Sequence, residues 1–351
     1  MIFASDNWAG AHPRIAQKLL EAAGTYASPY GEGDADRRVQ DRLSELFERE
    51  VAAFFVATGT AANSLALASV SKTAPLIFCH PEAHVIHHEG GAVEFMTSGG
   101  KLVPVGGDGS IQGKIDPGKL KKAIARFPTD DVHVGQKVAL TLSQTTEAGT
   151  VYSLDEIAEL AAIAHDAGMK VHMDGARFSN AIAALGVTPA EMTWKSGIDI
   201  LSLGGTKNGC WCAEAIVYFN KNDAAGLPHL RKRAANLFSK SNFIAQQFEA
   251  WLDSKLWLDL AKHSNHMAEK LVNAVKASKN VRLAWETGSS QLFIIMSDEK
   301  AAELRNAGAR FYDWETPEGL ENSVGAGEQI RRFITCFATK EDDIDTIARL
   351  F

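Results

Sequence analysis

The sequence predicts a doubly wound α/β fold, with a mainly parallel sheet in a large domain and a smaller α+β domain after it. Between Val51 and Phe219, short apolar runs alternate with stretches of helical period, which is typical of a parallel sheet covered by helices. After Asn220 the pattern changes to long helical stretches and then short strands. A chain of 351 residues is long enough for two domains. We expect an N-terminal arm and helix at 1–45, a large domain at 46–235 and a small domain at 236–351.

The composition is that of an ordinary globular protein and argues against several classes of partner. A formal net charge of -7, with acidic and basic residues interspersed, disfavours nucleic acid or an anionic membrane. No apolar run approaches the roughly 20 residues of a membrane span, and Met1–Trp8 lacks the features of a signal peptide. We therefore expect a cytoplasmic protein. The cysteines show neither metal-binding nor disulfide-framework spacing.

The chain begins with two predicted helices and a strand. Pro13 opens the first helix, and Asp34 or Asp36 caps the second. A buried-type strand, Val51–Ala57, then runs into TGTAAN, where Gly59 and Thr60 open a helix. The unpaired N–H groups and positive dipole end of such a helix suit a phosphate, although a plain capping turn explains the same residues.

Four histidines follow the predicted strand Pro75–Cys79: His80, His84, His87 and His88. We predict that they lie on a loop rather than on one helical face, and no acidic residue has the usual spacing, which disfavours a metal site. One imidazole, that of His84, would instead lie over an aromatic cofactor and move protons. Alternatively, these are polar loop residues without a role.

Asp174 ends the third predicted strand after Pro75–Cys79, in KVHMDGAR, directly before a helix that begins near Arg177. The segments predicted between are strand Lys101–Val105, helix Asp116–Phe127, strand Lys137–Ser143 and helix Leu154–Ala167. An acidic residue at the carboxyl end of a parallel strand lies where open α/β sheets bind ligands. Aspartate is also a common helix N-cap, so both interpretations stay open.

Lys207 lies on a predicted turn between two strands, in GIDILSLGGTKNGCWC. Glycines on both sides remove side chains, so that a flat ligand could come close, although surface turns often carry a lysine. Asp174 followed by Lys207 indicates pyridoxal phosphate (PLP), because its ring nitrogen needs a carboxylate and its aldehyde needs an amine.

The C-terminal part is predicted as two helical stretches, Leu227–Ala235 and Asn242–Ala277, followed by an α+β domain. Arg331 and Arg332, at the start of a late strand in QIRRFITCF, must point to opposite sides. An inward arginine suits a bidentate grip on a carboxylate, and a surface ion pair is the alternative. The remaining predicted elements are strands Val281–Trp285 and Gln291–Met296 and helix Asp298–Ala307.

Five motifs occur in one order along the chain: TGTAAN, HPEAHVIHHEGG, HMDGAR, GGTKNG and RRFIT. Together they resemble the threonine aldolase group of the fold type I PLP-dependent enzymes, close to its low-specificity L-threonine aldolase members. The resemblance covers nearly the whole chain. It implies a fold type I PLP-dependent transferase-like structure with a seven-stranded-type sheet, and a homodimer or homotetramer with sites between subunits.

The resemblance also implies a role for each matching residue. Lys207 would link covalently to the cofactor aldehyde, Asp174 would pair with the ring nitrogen, and His84 would stack on the ring and act on the β-hydroxyl. Gly59 and Thr60 would hold the phosphate. The residues implied to meet the cofactor oxygen or the substrate are Arg177, Arg332, Ser5 and Asn7.

The implied reaction is retro-aldol cleavage of L-threonine, L-allo-threonine and related β-hydroxy-α-amino acids to glycine and an aldehyde. Another PLP reaction on a small amino acid, β-elimination or transamination, is the alternative, and a catalytically silent protein of the same fold is a third. Many members carry ENTHN where this chain has SQTTE, so Thr146 stands in place of a second histidine. Asn242 stands where relatives often have an arginine. If that arginine meets the phosphate of the neighbouring subunit, Lys240 is expected to take its place.

Overall fold

The computed structural model describes residues 1–107, 109 and 112–351 and contains a seven-stranded sheet with the order β1-β7-β6-β5-β4-β2-β3. Its strands are β1 (Ala52–Val56), β2 (Pro75–Cys79), β3 (Lys101–Pro104), β4 (Gln136–Ser143), β5 (Lys170–Gly175), β6 (Ile200–Gly204) and β7 (Glu214–Tyr218). The strands from β2 to β6 pair in parallel, and β7 runs antiparallel to both of its neighbours. The mainly parallel sheet predicted from the alternating pattern is confirmed.

Helices cover this sheet and also accompany the second one, since α13 lies between two of its strands and α14 follows the last. They are α1 (Pro13–Ala23), α2 (Asp34–Leu46), α3 (Gly59–Ser69), α4 (His84–His87), α5 (Ala92–Met96), α6 (Pro117–Ala125), α7 (Leu154–Asp166), α8 (Phe178–Leu185), α9 (Pro189–Met192), α10 (Leu227–Arg233), α11 (Asn242–Leu252), α12 (Leu256–Ala277), α13 (Asp298–Asn306) and α14 (Glu341–Leu350). Among the described residues, none of these helices is long and apolar enough to cross a membrane.

The second sheet is antiparallel and has the order β10-β11-β9-β8. Its strands are β8 (Val281–Leu283), β9 (Gln291–Ser297), β10 (Tyr312–Trp314) and β11 (Glu328–Ile334). Phe3 from the chain's start is fully buried in the apolar cluster behind this sheet. Its amide donates to the carbonyl of Arg310 at 2.7 Å and its carbonyl accepts from Ile334 N at 2.8 Å. The N-terminal arm is therefore anchored in the small-sheet region.

Three local predictions were wrong. The helical stretch predicted at Asn242–Ala277 is two helices, because Ser254 and Lys255 adopt φ values of 52° and 58° between them. The N-cap of α2 is Gly33, whose amide donates to the carboxylate of Asp36, so Asp36 closes the turn from inside the helix. The histidines do not all lie on a loop.

In the structure His84–His87 form the one-turn helix α4, and His84 is its first residue. Backbone hydrogen bonds from Ile86 N to the carbonyl of Ala83 and from His88 N to that of His84 close this turn. His84 thereby faces inward, whereas His87 and His88 are exposed.

The parallel strands bring the candidate residues to one edge of the large sheet. The carboxyl ends of β1, β5 and β6 lead directly into the α3 N-terminus, Asp174 and the Lys207 turn. Gly175 and Gly204 allow the turn after Asp174 and the end of β6 to pack in direct contact. A Cβ on Gly175 would lie 2.7 Å from the carbonyl oxygen of Ser202, and one on Gly204 would lie 2.7 Å from that of Ala176.

We predict that Gly204→Ala destabilises the protein by about 1–3 kcal/mol, because the added methyl group forces the turn after Asp174 away from β6. The midpoint of thermal unfolding, measured by calorimetry, will fall. Gly226→Ala is the matched control, because a Cβ there meets nothing within 4 Å, and it will change stability by less than about 0.5 kcal/mol. Equal midpoints for the two variants would contradict this account.

Candidate active site

Lys207 lies on a short 3-10 turn, Thr206–Asn208, that follows β6. Two hydrogen bonds to α11 and α12 hold this turn in place. Asn208 Nδ2 donates to the carbonyl of Trp257 at 2.8 Å, and Trp251 Nε1 donates to the carbonyl of Asn208 at 3.0 Å. Gly209 ends it with φ 97°, a conformation that favours glycine. The Lys207 side chain is half-buried, and within the described parts of the chain its amine has no hydrogen-bond partner. The predicted strand, turn and strand are confirmed.

Asp174 is buried at the end of β5, and both of its oxygens are hydrogen-bonded. Oδ1 accepts from the amide of Ala176 at 3.0 Å, and Oδ2 accepts from Asn63 Nδ2 at 2.9 Å. Asp174 is not the N-cap of the following helix, because Arg177 holds that position. The carboxylate instead faces the site, held by the amide of Asn63 from α3.

The same amide group joins Asp174 to His84. Asn63 Nδ2 also donates to Oε1 of Glu89 at 2.8 Å, and this oxygen lies 2.9 Å from Nδ1 of His84. The hydrogen bond with Glu89 raises the pKa of His84, while burial opposes that shift. Sequence reasoning missed Asn63 and Glu89, although both lie inside quoted motifs, TGTAAN and HHEGG.

Arg177 forms a buried, two-point ion pair with Asp6. Its Nε and Nη2 lie 2.8 and 3.1 Å from the two carboxylate oxygens of Asp6, and the side chains are 6% and 4% exposed. Burial alone would raise the pKa of Asp6, but the positive charges of Arg177 and Lys207 outweigh it and lower the pKa. Both N–H groups of Nη1 and the second N–H of Nη2 are left for a ligand, as far as the described residues show.

The N-terminal arm therefore contributes Asp6 to the site, a residue that was missed from the sequence. Its contribution is more direct than that of Ser5 and Asn7, the two residues predicted from this arm. Ser5 Oγ accepts from the amide of Asn7 at 3.1 Å and caps a short 3-10 turn, and Asn7 is exposed. The signal for Asp6 was its position between them in the SDN stretch.

Arg331 and Arg332 lie in the middle of β11 rather than at its start, and they point to opposite sides as expected. Arg331 is buried and donates to Asp298 at 2.6 Å, which makes it a structural ion pair. Arg332 instead lies over the rings of Trp314 and Tyr312, 5.0 and 5.6 Å from their centroids. Its buried Nε has no partner among the described residues.

Burial and the neighbouring charge of Arg177 lower the pKa of Arg332, while Glu147 and Asp6 oppose that shift. Arg177 and Arg332 thus face the same space from the two sheets. An unpaired guanidinium in such a space suits a carboxylate ligand.

Gly59 and Thr60 are the first two residues of α3. Thr58 is the N-cap, and its Oγ1 accepts from Ala61 N at 3.1 Å. The amides of Gly59 and Thr60 have no acceptor in the described regions, and a Cβ on Gly59 would meet nothing within 4 Å. The capping turn and an open anion site therefore coexist here.

Two further residues bear on the site. Glu214, missed from the sequence, is buried on β7, its Oε1 lies 3.4 Å from the amide of Thr206, and burial raises its pKa to about 7 against the charge of Lys207. Thr146 is buried and its Oγ1 lies 2.7 Å from that of Thr150, so the SQTTE loop brings no imidazole to the site. Asn242 is buried at the start of α11, and Lys240 is exposed just before it.

Comparison with known proteins agrees with this geometry. The family model described as "Beta-eliminating lyase" matches residues 3–297. A low specificity L-threonine aldolase from Pseudomonas sp. is 37% identical over 99% of this chain and 95% of its own length, and one from Pseudomonas aeruginosa is 36% identical over 99% and 96%. The solved structure of a Leishmania major threonine aldolase superposes with a TM-score of 0.90 at 27% identity, covering 99% of this chain and 98% of that one.

The family inferred from the five motifs is thereby confirmed, together with the fold type that it implied. This chain belongs to the beta-eliminating lyase family and, within it, to the low-specificity L-threonine aldolases.

Proposed function

We propose that this chain is a PLP-dependent lyase that cleaves L-threonine, L-allo-threonine and related β-hydroxy-α-amino acids to glycine and an aldehyde. The observation that carries the proposal is the placement of a lysine amine, a buried carboxylate and an unpaired guanidinium around one space. These groups belong to Lys207, Asp174 and Arg332. Each comes from a different strand end or sheet, so their convergence is a property of the fold.

The donor set fits PLP. Lys207 would hold its aldehyde, Asp174 its ring nitrogen, and the free amides of Gly59 and Thr60 its phosphate. His84, at the start of α4, would cover the ring. Bound there, the cofactor supplies an electron sink for the bond broken at Cα.

The protein's own part is to hold the carboxylate and to move protons. Arg332 and Nη1 of Arg177 would bind the substrate carboxylate, and the pair with Asp6 keeps Arg177 in position. His84 Nε2 would accept the proton of the β-hydroxyl as the aldehyde forms. Water is partly excluded, since Asp174, Asp6 and Arg177 are all buried.

We further propose that the chain works in the cytoplasm as a homodimer or homotetramer with a site shared between subunits. The open end of α3 is one support, and the large apolar side chains of Phe95 and Trp211, 82% and 65% exposed, are another. All four cysteines are free, as is usual in a reducing compartment. Light scattering of the purified protein will give a mass of two or four chains, and a monomer would refute the shared site.

We predict that the purified protein releases acetaldehyde from L-threonine and L-allo-threonine in step with glycine, and that Lys207→Ala reduces the rate by more than about 10³-fold, because covalent attachment is lost. Lys279→Ala, at an exposed lysine just before β8, is the control and will keep the rate. Release of pyruvate or an oxo acid in place of acetaldehyde would favour the alternative chemistries, elimination or transamination.

We predict that Arg332→Gln raises the KM for L-threonine by about 10- to 100-fold, with a smaller effect on kcat. The lost charge-assisted hydrogen bonds are worth about 1.5–3 kcal/mol, and about 1.4 kcal/mol corresponds to a factor of ten.

Steady-state kinetics will test this against Arg282→Gln, a control arginine of the same sheet that pairs with Glu328. An unchanged KM in the Arg332 variant would show that the carboxylate is held elsewhere.

A further inference from the structure

We propose that Glu89 is a positioning residue that fixes the imidazole of His84 with Nε2 facing the substrate, and that Asn63 links this pair to Asp174 in one network. This inference rests on the proposed function for its chemical meaning. The hydrogen-bond geometry that supports it is independent of any substrate.

Glu89 lies between α4 and α5, and its side chain is fully buried. It has no lysine or arginine within ion-pairing distance among the described residues. Its Oε1 receives Asn63 Nδ2 at 2.8 Å and faces His84 Nδ1 at 2.9 Å. The imidazole and the amide are the hydrogen-bond partners of this carboxylate among the described residues; both contact Oε1, and the buried Oε2 has no partner there.

The orientation of the Asn63 amide determines which nitrogen of His84 carries the proton. Asn63 lies between two carboxylates, Glu89 and Asp174, so its NH₂ group must face both, since its carbonyl oxygen would repel them. Both carboxylates therefore act as acceptors. Burial and the neighbouring charge of Asp174 raise the pKa of Glu89, while its hydrogen bonds with His84 and Asn63 oppose that shift. In its ionised form Glu89 can only accept from His84, so that Nδ1 carries a proton and the lone pair of Nε2 is left toward the site.

Several charged groups face His84, and most of them favour its protonated form. The hydrogen bond with Glu89 is the largest influence raising its pKa; burial opposes it, Glu147 and Asp174 add to it, and Lys207 opposes it. The ring of His88 lies 5.5 Å from that of His84. Nε2 is therefore a stronger base than that of an unpaired imidazole.

The pairing matters because this chain brings no second imidazole from the loop after β4, where Thr146 is bonded to Thr150 instead. One imidazole must then accept the proton unaided. When the Cα–Cβ bond breaks, the β-hydroxyl proton passes to Nε2 of His84, the O–H electron pair becomes the second bond of the aldehyde carbonyl, and the Cα–Cβ pair stays on Cα. Protonation of Cα later completes glycine.

Glu89→Gln tests the proposal in the cofactor-loaded enzyme. Exchange of the imidazole C2 proton for deuterium, followed by mass spectrometry across pH, reports the pKa of His84 without turnover. We predict that this pKa falls by about one unit or more, since a hydrogen bond to a charged group is worth about 1.5–3 kcal/mol and one unit is 1.36 kcal/mol. The acidic limb of kcat against pH will move down with it, and kcat will fall by on the order of 10-fold or more with KM little changed.

Glu82→Gln is the matched control, since Glu82 is exposed on the loop before α4, and Glu89→Asp should partly restore the exchange behaviour. An unchanged pKa of His84 in Glu89→Gln would overturn the proposal. A lowered pKa with an unmoved kcat profile would overturn the role of His84 as base. Failure of the wild-type protein to cleave any β-hydroxy amino acid would refute the proposed function. The measured effect of Glu89 on the pKa of His84 would still stand. Unchanged cofactor absorbance and thermal midpoint will show that a variant is folded.

Discussion

The buried ion pair between Asp6 and Arg177 is the contact on which the site's architecture depends. It joins the N-terminal arm, anchored by Phe3 behind the small sheet, to the N-cap residue of α8 beside Asp174. Both charges are out of water, so neither can be removed alone without leaving the other uncompensated, which typically costs about 3–5 kcal/mol. A single pair thus fixes the arm, the large sheet and the small sheet relative to the site.

Charge around the site is nearly balanced. The cations Lys207, Arg177 and Arg332 face the carboxylates Asp6 and Asp174, with Glu147 and the buried Glu214 close by. Because burial raises the pKa of Glu214 to about 7, this group holds a proton part of the time near neutral pH.

The sequence predicted well those features that depend on local chemistry. Lys207 between glycines and Asp174 at a strand end could be recognised because the turn and strand signals lie within a few residues of them. Asp6 and Asn63 could not, since only the folded sheets bring their partners near: Asp6 and Arg177 are 171 positions apart, and Asn63 and Asp174 are 111 apart. Glu89 lies five positions from His84, but the one-turn helix that brings the two side chains together was not predicted. The interruption between α11 and α12 was missed because Ser254 and Lys255 carry no glycine or proline signal.

The loop that holds Thr146 is clamped by the small-sheet region. Trp285 Nε1 donates to the carbonyl of Ala148 at 2.9 Å, and Gln291 Nε2 donates to that of Glu147 at 3.1 Å. A Cβ on Gly113 would already lie 2.6 Å from Thr146 Oγ1, so a larger side chain could not fit at either position unaided. Replacing Thr146 by a larger residue therefore requires coordinated changes in the loop, at Gly113 and in the Trp285–Gln291 segment, and we expect these three positions of the chain to vary together among relatives.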